Sequence, residues 1–153
     1  MKIKVNKKAP NFKLDSTSLK IFELSKLKGG LIIYFYPKDN TPGCTLETKD
    51  FSKLYKKFKS LKYEVVGISK DNIKSHLNFK KKFKVPFQLL SDEKFNIQKK
   101  YGVWGVKSFM GNKFMGTIRS TVVINKGKVL KFWKNVRVKG HAKEVLDFII
   151  SIK

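Results

Sequence analysis

The sequence predicts an α/β fold, a central mixed β-sheet flanked by helices on both faces, and three observations predict it. Two apolar runs, residues 31–36 and 63–69, have the length and composition of strands covered on both sides. Between them Phe51, Leu54, Tyr55 and Phe58 recur at i, i+3, i+4 and i+7, the period of an amphipathic helix. Further on, two β-branched runs, 120–124 and 129–133, flank the short turn Asn125-Lys126-Gly127-Lys128, which is a β-hairpin signal. Strands alternating with helices, then a hairpin and a closing helix, make a mixed sheet layered between helices.

In chain order, residues 12–14 and 20–22 read as short strands around a turn at 15–18. The run 31–36 is a central strand ended by Pro37. After a polar loop at 38–41, Thr41 is a good N-cap and Pro42 a good first residue for the helix that carries Phe51. The run 63–69 is a second buried strand. Asp71 is expected to cap a helix through about residue 83, with Ile73 and Leu77 inward and His76 exposed among lysines. Residues 87–90 suit a short strand and 92–101 a short helix. Four glycines between large apolar residues make 102–116 an irregular loop. The hairpin follows, and a last helix from about Ala142 presents Val145, Leu146, Ile149 and Ile152, with His141 at its start.

At 153 residues the chain fits one domain, 1–153, and its 41% hydrophobic content fills one core without a disulfide or metal staple. A single cysteine suits a reducing compartment and a cytoplasmic location. The N-terminal stretch 1–8 is charged with no apolar centre, unlike a signal peptide, and no apolar run approaches the ~20 residues of a membrane span. Net charge is +24, a balance that attracts polyanions. Of 35 basic residues, however, only Arg119 and Arg137 are arginine and 33 are lysine, spread along the chain. Nucleic-acid readers lean on the planar arginine fork, so a solvated lysine surface with no specific nucleic-acid or membrane partner is the better reading. The rival is a basic DNA- or membrane-binding module using its cysteine as a redox sensor.

Chemistry concentrates at residues 36–47, between a buried strand and an amphipathic helix. There Cys44 falls in the first helical turn, where free N–H groups and the helix dipole favour the nucleophilic thiolate. A buried inert thiol is the ordinary fate of a lone cysteine, and this position argues against it. Arg119, at a strand start in a chain that otherwise uses lysine, marks a place where a fixed two-donor cation is needed. Arg137 has no such setting and reads as structural. Glu47 is either a second-layer hydrogen-bond partner of the site or an exposed helix carboxylate. His76 and His141 have no zinc-like spacing with Cys44, so no metal or other cofactor is expected.

Pro37-x-x-x-Thr41-x-x-Cys44 resembles the signature of the peroxiredoxins, and the run 35–47 resembles their bacterioferritin-comigratory, or PrxQ, branch. The likeness extends to residues 9–12, 65–69, 90–92, 101–104 and to Arg119-Ser120-Thr121, and so covers nearly the whole chain. The resemblance implies a thioredoxin-like fold and a thiol-dependent peroxidase in which Cys44 attacks a hydroperoxide. It further implies that Thr41 hydrogen-bonds sulfur and peroxide, Pro37 shapes the pocket, and Arg119 stabilises the thiolate and polarises the O–O bond. Many members carry a resolving cysteine five residues after the first; here Lys49 holds that place and no second cysteine exists. The one-cysteine type implies an external thiol, thioredoxin, glutaredoxin or glutathione, and the branch implies a monomer.

Overall fold

The computed structural model describes residues 3–153; Met1 and Lys2 of the charged N-terminal stretch lie outside the described residues. The strands are β1 (Lys13–Ser16), β2 (Ile21–Glu23), β3 (Gly30–Phe35), β4 (Tyr63–Ser69), β5 (Gln88–Ser91), β6 (Trp104–Phe109), β7 (Asn112–Thr117), β8 (Ser120–Asn125) and β9 (Lys128–Lys134). The helices are α1 (Pro42–Ser60), α2 (Ile73–Phe83), α3 (Asn96–Lys100) and α4 (His141–Ser151). Seven strands form one sheet in the order β2-β1-β5-β4-β3-β8-β9, and β6 and β7 form a separate ribbon. β3, β4 and β5 run parallel, while β1 and β8 join the sheet antiparallel. The expected mixed sheet, of thioredoxin-like architecture, is what forms.

All six residues of β3 are buried because helices and loops cover both faces. The strand period of two sends Ile32 and Tyr34 to one side, with Phe51, Phe58, Phe79, Val145 and Ile149. Leu31, Ile33 and Phe35 go to the other, with Phe12, Ile97, Tyr101 and Val103. Each fully buried aromatic or aliphatic side chain of this kind contributes about 2 kcal/mol of transfer free energy. For function, the decisive feature is register. Phe35 at the end of β3 pairs with Ser120 at the start of β8, which brings the chain leaving β3 beside the residue entering β8.

Several sequence expectations are corrected. The strands expected at 12–14 and 20–22 form about one residue later, and the turn lies at 17–20. The N-cap of α2 is Asn72, whose side chain accepts from Ser75 N, not Asp71. Leu77 is on the exposed side of α2, and the inner face is His76 and Phe79, both completely buried. Helix α3 starts only at Asn96, because Asp92 turns its carboxylate onto the N–H groups of Ile97 and Gln98. Ile152 lies past the end of α4 and is exposed.

The largest difference is at 102–116. Rather than an irregular loop, it holds the β6–β7 ribbon, paired from Trp104↔Thr117 to Phe109↔Asn112. Met110 and Gly111 both have positive φ, 52° and 81°, the two-residue turn whose twist matches a hairpin. Lys126 and Gly127 make the same kind of turn between β8 and β9. Phe95 stacks on Trp104 at 3.9 Å, and Thr117 hydrogen-bonds buried Gln98, so the ribbon's base is anchored to the α3 segment.

Candidate active site

Pro42 opens α1 and Thr41 is its N-cap in backbone terms, with extended φ −82° and ψ 151°. The threonine side chain does not cap. Its hydroxyl donates to Lys38 O at 2.8 Å, so it is turned away from the helix N–H groups. The first turn places Cys44 against the sheet with no exposed surface. Glu47 follows at i+3, on the same side of the helix.

Arg119 is the residue before β8, so the β3/β8 register sets it beside this turn. Its backbone carbonyl accepts from Val136 N at 2.9 Å, which fixes the strand start. Its guanidinium then forks. Nη2 donates to Cys44 Sγ at 3.3 Å and Nη1 donates to Glu47 Oε1 at 2.7 Å, contacts that span sequence separations of 75 and 72 residues. Gly43 leaves the necessary room: a Cβ there would lie 3.2 Å from Arg119 Nη2. Glu47 is 1% exposed and paired with arginine, so it is not an exposed helix carboxylate.

The electrostatics of this trio are opposed. Burial pushes the Glu47 carboxyl up from 4.5 to about 7, against the lowering influence of Arg119, and Asp50 adds a smaller push. Burial works against the Arg119 cation, yet Glu47 and Cys44 together hold its proton above the ordinary arginine value. Glu47 Oε2 is buried without a hydrogen-bond partner among the described residues.

The AhpC/TSA family profile matches residues 5–132. The chain is 39% identical over 149 residues to peroxiredoxin Bcp of Bacillus subtilis, covering 96% of this chain and 95% of the relative. The chain belongs to the AhpC/TSA family, in its peroxiredoxin Bcp/Q branch. A putative peroxiredoxin bcp of Helicobacter pylori is 43% identical over 148 residues, covering 95% and 97% of the two chains. Among solved structures, a variant of PrxQ from Xylella fastidiosa superposes with a TM-score of 0.92 at 31% identity, covering 99% and 98%. The Xanthomonas campestris bacterioferritin comigratory protein, studied for its alkyl peroxide reduction, superposes with a TM-score of 0.87 at 35% identity, covering 92% and 90%.

Of the residues the sequence singled out in this peroxiredoxin, Arg119 is brought into contact with both Cys44 and Glu47. Thr41 and half-buried Pro37 border the same loop, with the Thr41 hydroxyl directed to Lys38. Lys49 is exposed on α1, and Arg137 is exposed after β9. His141 does start α4 and is buried; its Nε2 lies 2.7 Å from Thr121 Oγ1 and its Nδ1 3.0 Å from Glu144, and burial lowers its proton affinity. No helix among the described residues is long and apolar enough to cross a membrane.

Sequence reasoning missed a buried polar network beneath the loop. Asp39 accepts from Tyr36 Oη at 2.6 Å and Ser75 Oγ at 2.8 Å, and His76 Nδ1 lies 2.8 Å from it. Asp71 accepts from Asp39 N at 2.8 Å and Ser69 Oγ at 2.6 Å. Ligating atoms of Asp39, Asp71 and His76 come within 4.8 Å of one another. They do not offer a cation free ligands: both His76 ring nitrogens face acceptors, Asp39 and Leu90 O, and the carboxylates already accept from donors. The network instead ties the loop before Cys44 to α2 and β5. Its one sequence signal was an aspartate within the motif; the histidine partner, 37 positions on, had none.

Proposed function

We propose that this peroxiredoxin reduces hydrogen peroxide and small organic hydroperoxides through Cys44. The thiolate attacks one peroxide oxygen, an S–O bond forms as the O–O bond breaks, and the departing oxygen leaves as water or alcohol after taking a proton. The product is a Cys44 sulfenic acid. The observation that carries this reading is the arginine fork: Arg119 donates to Sγ while Glu47 holds its other nitrogen in place. A cation so fixed stabilises negative charge on sulfur before attack and on the oxygens as the bond breaks. Thr41 would swing its hydroxyl from Lys38 O to the bound peroxide, and Pro37 would wall the pocket. The alkyl peroxide reduction studied in the Xanthomonas relative supports organic hydroperoxides as substrates.

Turnover requires a second thiol. With a single cysteine in the chain and exposed Lys49 on α1, the sulfenic acid is reduced from outside, by thioredoxin, glutaredoxin or glutathione. We place the protein in the cytoplasm as a monomer, one domain carrying the whole reaction. The basic-module reading is less well supported, because the positive charge is dispersed lysine and one of only two arginines is committed to Cys44. Peroxide consumption with an added thiol tests the proposal. The wild type should turn over and Cys44→Ser should not; a wild type that consumes no peroxide yet binds DNA with a steep salt dependence would replace it with the rival.

A further inference from the structure

Arg119 has a second face. Beyond its contact with Cys44 it forms part of the wall of a cleft of about 410 Å³, together with Val106, Lys107, Ser108, Ile118 and Asn135. That volume falls in the range of roughly 300–1,000 Å³ typical of small-ligand sites. Among the described residues no carboxylate lines it, whereas two cations do. Lys107 is half-buried, and its ammonium is disfavoured by burial and then by Arg119 and Lys70, while Cys44 favours it. Lysine, arginine and cysteine therefore share one field, and an anion in the cleft relieves the repulsion between its cations.

The cleft also has a backbone side. It touches three consecutive residues of β6 and none of β7, so it lies along the edge of β6 that the two-stranded ribbon leaves unpaired. An open strand edge offers N–H and C=O groups to an extended peptide unit.

We propose that this cleft holds the thiol that recycles Cys44, and that it selects an anionic, low-molecular-weight peptidyl thiol over neutral or cationic ones. The proposal rests on the peroxidase reading above. A carboxylate of the thiol pairs with Lys107, its peptide group lies on the β6 edge, and its sulfur is directed toward Cys44 past Arg119. The incoming thiolate attacks the sulfenic sulfur; an S–S bond forms, the S–O bond breaks, and the oxygen leaves as water with the thiol's proton. The sulfenic sulfur is reduced and the incoming sulfur oxidised. A second molecule of the same thiol attacks the mixed disulfide, releasing the small disulfide and the Cys44 thiolate.

The test separates the two half-reactions. Protein is treated with one equivalent of hydrogen peroxide and intact mass is followed for the added oxygen. Reduced glutathione, its diethyl ester or cysteamine is then added, and loss of the sulfenic acid is timed per unit thiolate. Glutathione should react about tenfold faster than either of the others, with an advantage that shrinks as salt is raised. Lys107→Glu should abolish that preference, while Lys28→Glu, an equal charge change at the opposite end of β3, should leave it within about twofold. Equal rates for the three thiols, or equal effects of the two variants, would overturn the cleft proposal and leave the peroxidase reading standing. Failure to gain oxygen at Cys44 would overturn both.

Discussion

His76 and Asp39 form a completely buried pair, with Nδ1 2.8 Å from Oδ2. The other ring nitrogen, Nε2, lies 2.9 Å from Leu90 O, which can only accept. Asp39 and Leu90 O thus hold both ring nitrogens, and the pair forms one hydrogen-bonded unit in the interior. It holds the residue five positions before Cys44 against α2 and the end of β5.

Breaking one half of such a unit strands the other in an apolar interior. His76→Leu should therefore lower stability by about 3 kcal/mol in urea unfolding. Asp39→Asn should cost a similar amount, and the double variant should cost less than the sum of the two. Additive losses would show that the pair is not coupled. Because the loop is tethered through Asp39, each single variant should also slow oxidation of Cys44 by peroxide.

Glu47 supplies a pH dependence whose direction follows from its environment. Burial raises its carboxyl to about 7 from an ordinary 4.5, so the folded protein binds this proton more tightly than the unfolded chain. The associated stabilisation is complete below about pH 4.5 and is lost as pH rises through 7, amounting to about 3 kcal/mol over that window. Glu47→Gln keeps an oxygen for Arg119 Nη1 and removes the titration. From about pH 5 to about pH 8 the unfolding free energy of the wild type should fall relative to that of the variant by about this amount.

What could be read from the sequence divides along a physical line. Strands β3, β4 and β8 and helix α1 were legible because burial on both faces or on one stripe imposes a period on the residues themselves. Cys44 and Arg119 were legible because their residue types are rare in this chain and sit at element starts. The β6–β7 ribbon was not, since it carries no buried stripe: Val106, Phe109, Phe114 and Met115 are exposed and glycines interrupt it. His76 was misread for a related reason. Its neighbours Lys74, Lys80, Lys81 and Lys82 suggest a solvated helix, and only the tertiary approach of Asp39 makes it a core residue. Asp71 lost its capping role to Asn72 because its carboxylate is engaged by Asp39 N and Ser69.

Gly43 is needed for space rather than for backbone freedom. A methyl group at that position would sit 3.2 Å from Arg119 Nη2, closer than a relaxed contact. Gly43→Ala should displace the guanidinium from Sγ while the helix start, which tolerates alanine, persists. Peroxide oxidation of Cys44 should slow about tenfold with unfolding nearly unchanged. An unaltered rate would mean that the Arg119–Cys44 contact is dispensable.

Arg119→Lys separates the contact from the charge. One ammonium cannot donate to Sγ and to Glu47 along the two fixed directions that the guanidinium uses, so the variant keeps a cation but loses the fork. Loss of one such donor from a reacting centre costs about 10²–10³ in rate, and the oxidation step measured by stopped flow should drop by that order. Glu47 would then be buried with neither oxygen well satisfied, so stability should also fall, most at high pH where the carboxylate is charged. Adding Glu47→Gln to Arg119→Lys should recover the stability at about pH 8 without recovering the rate. That pattern distinguishes Arg119 acting on the sulfur from Arg119 merely neutralising a buried glutamate; recovery of both together would assign it the second role.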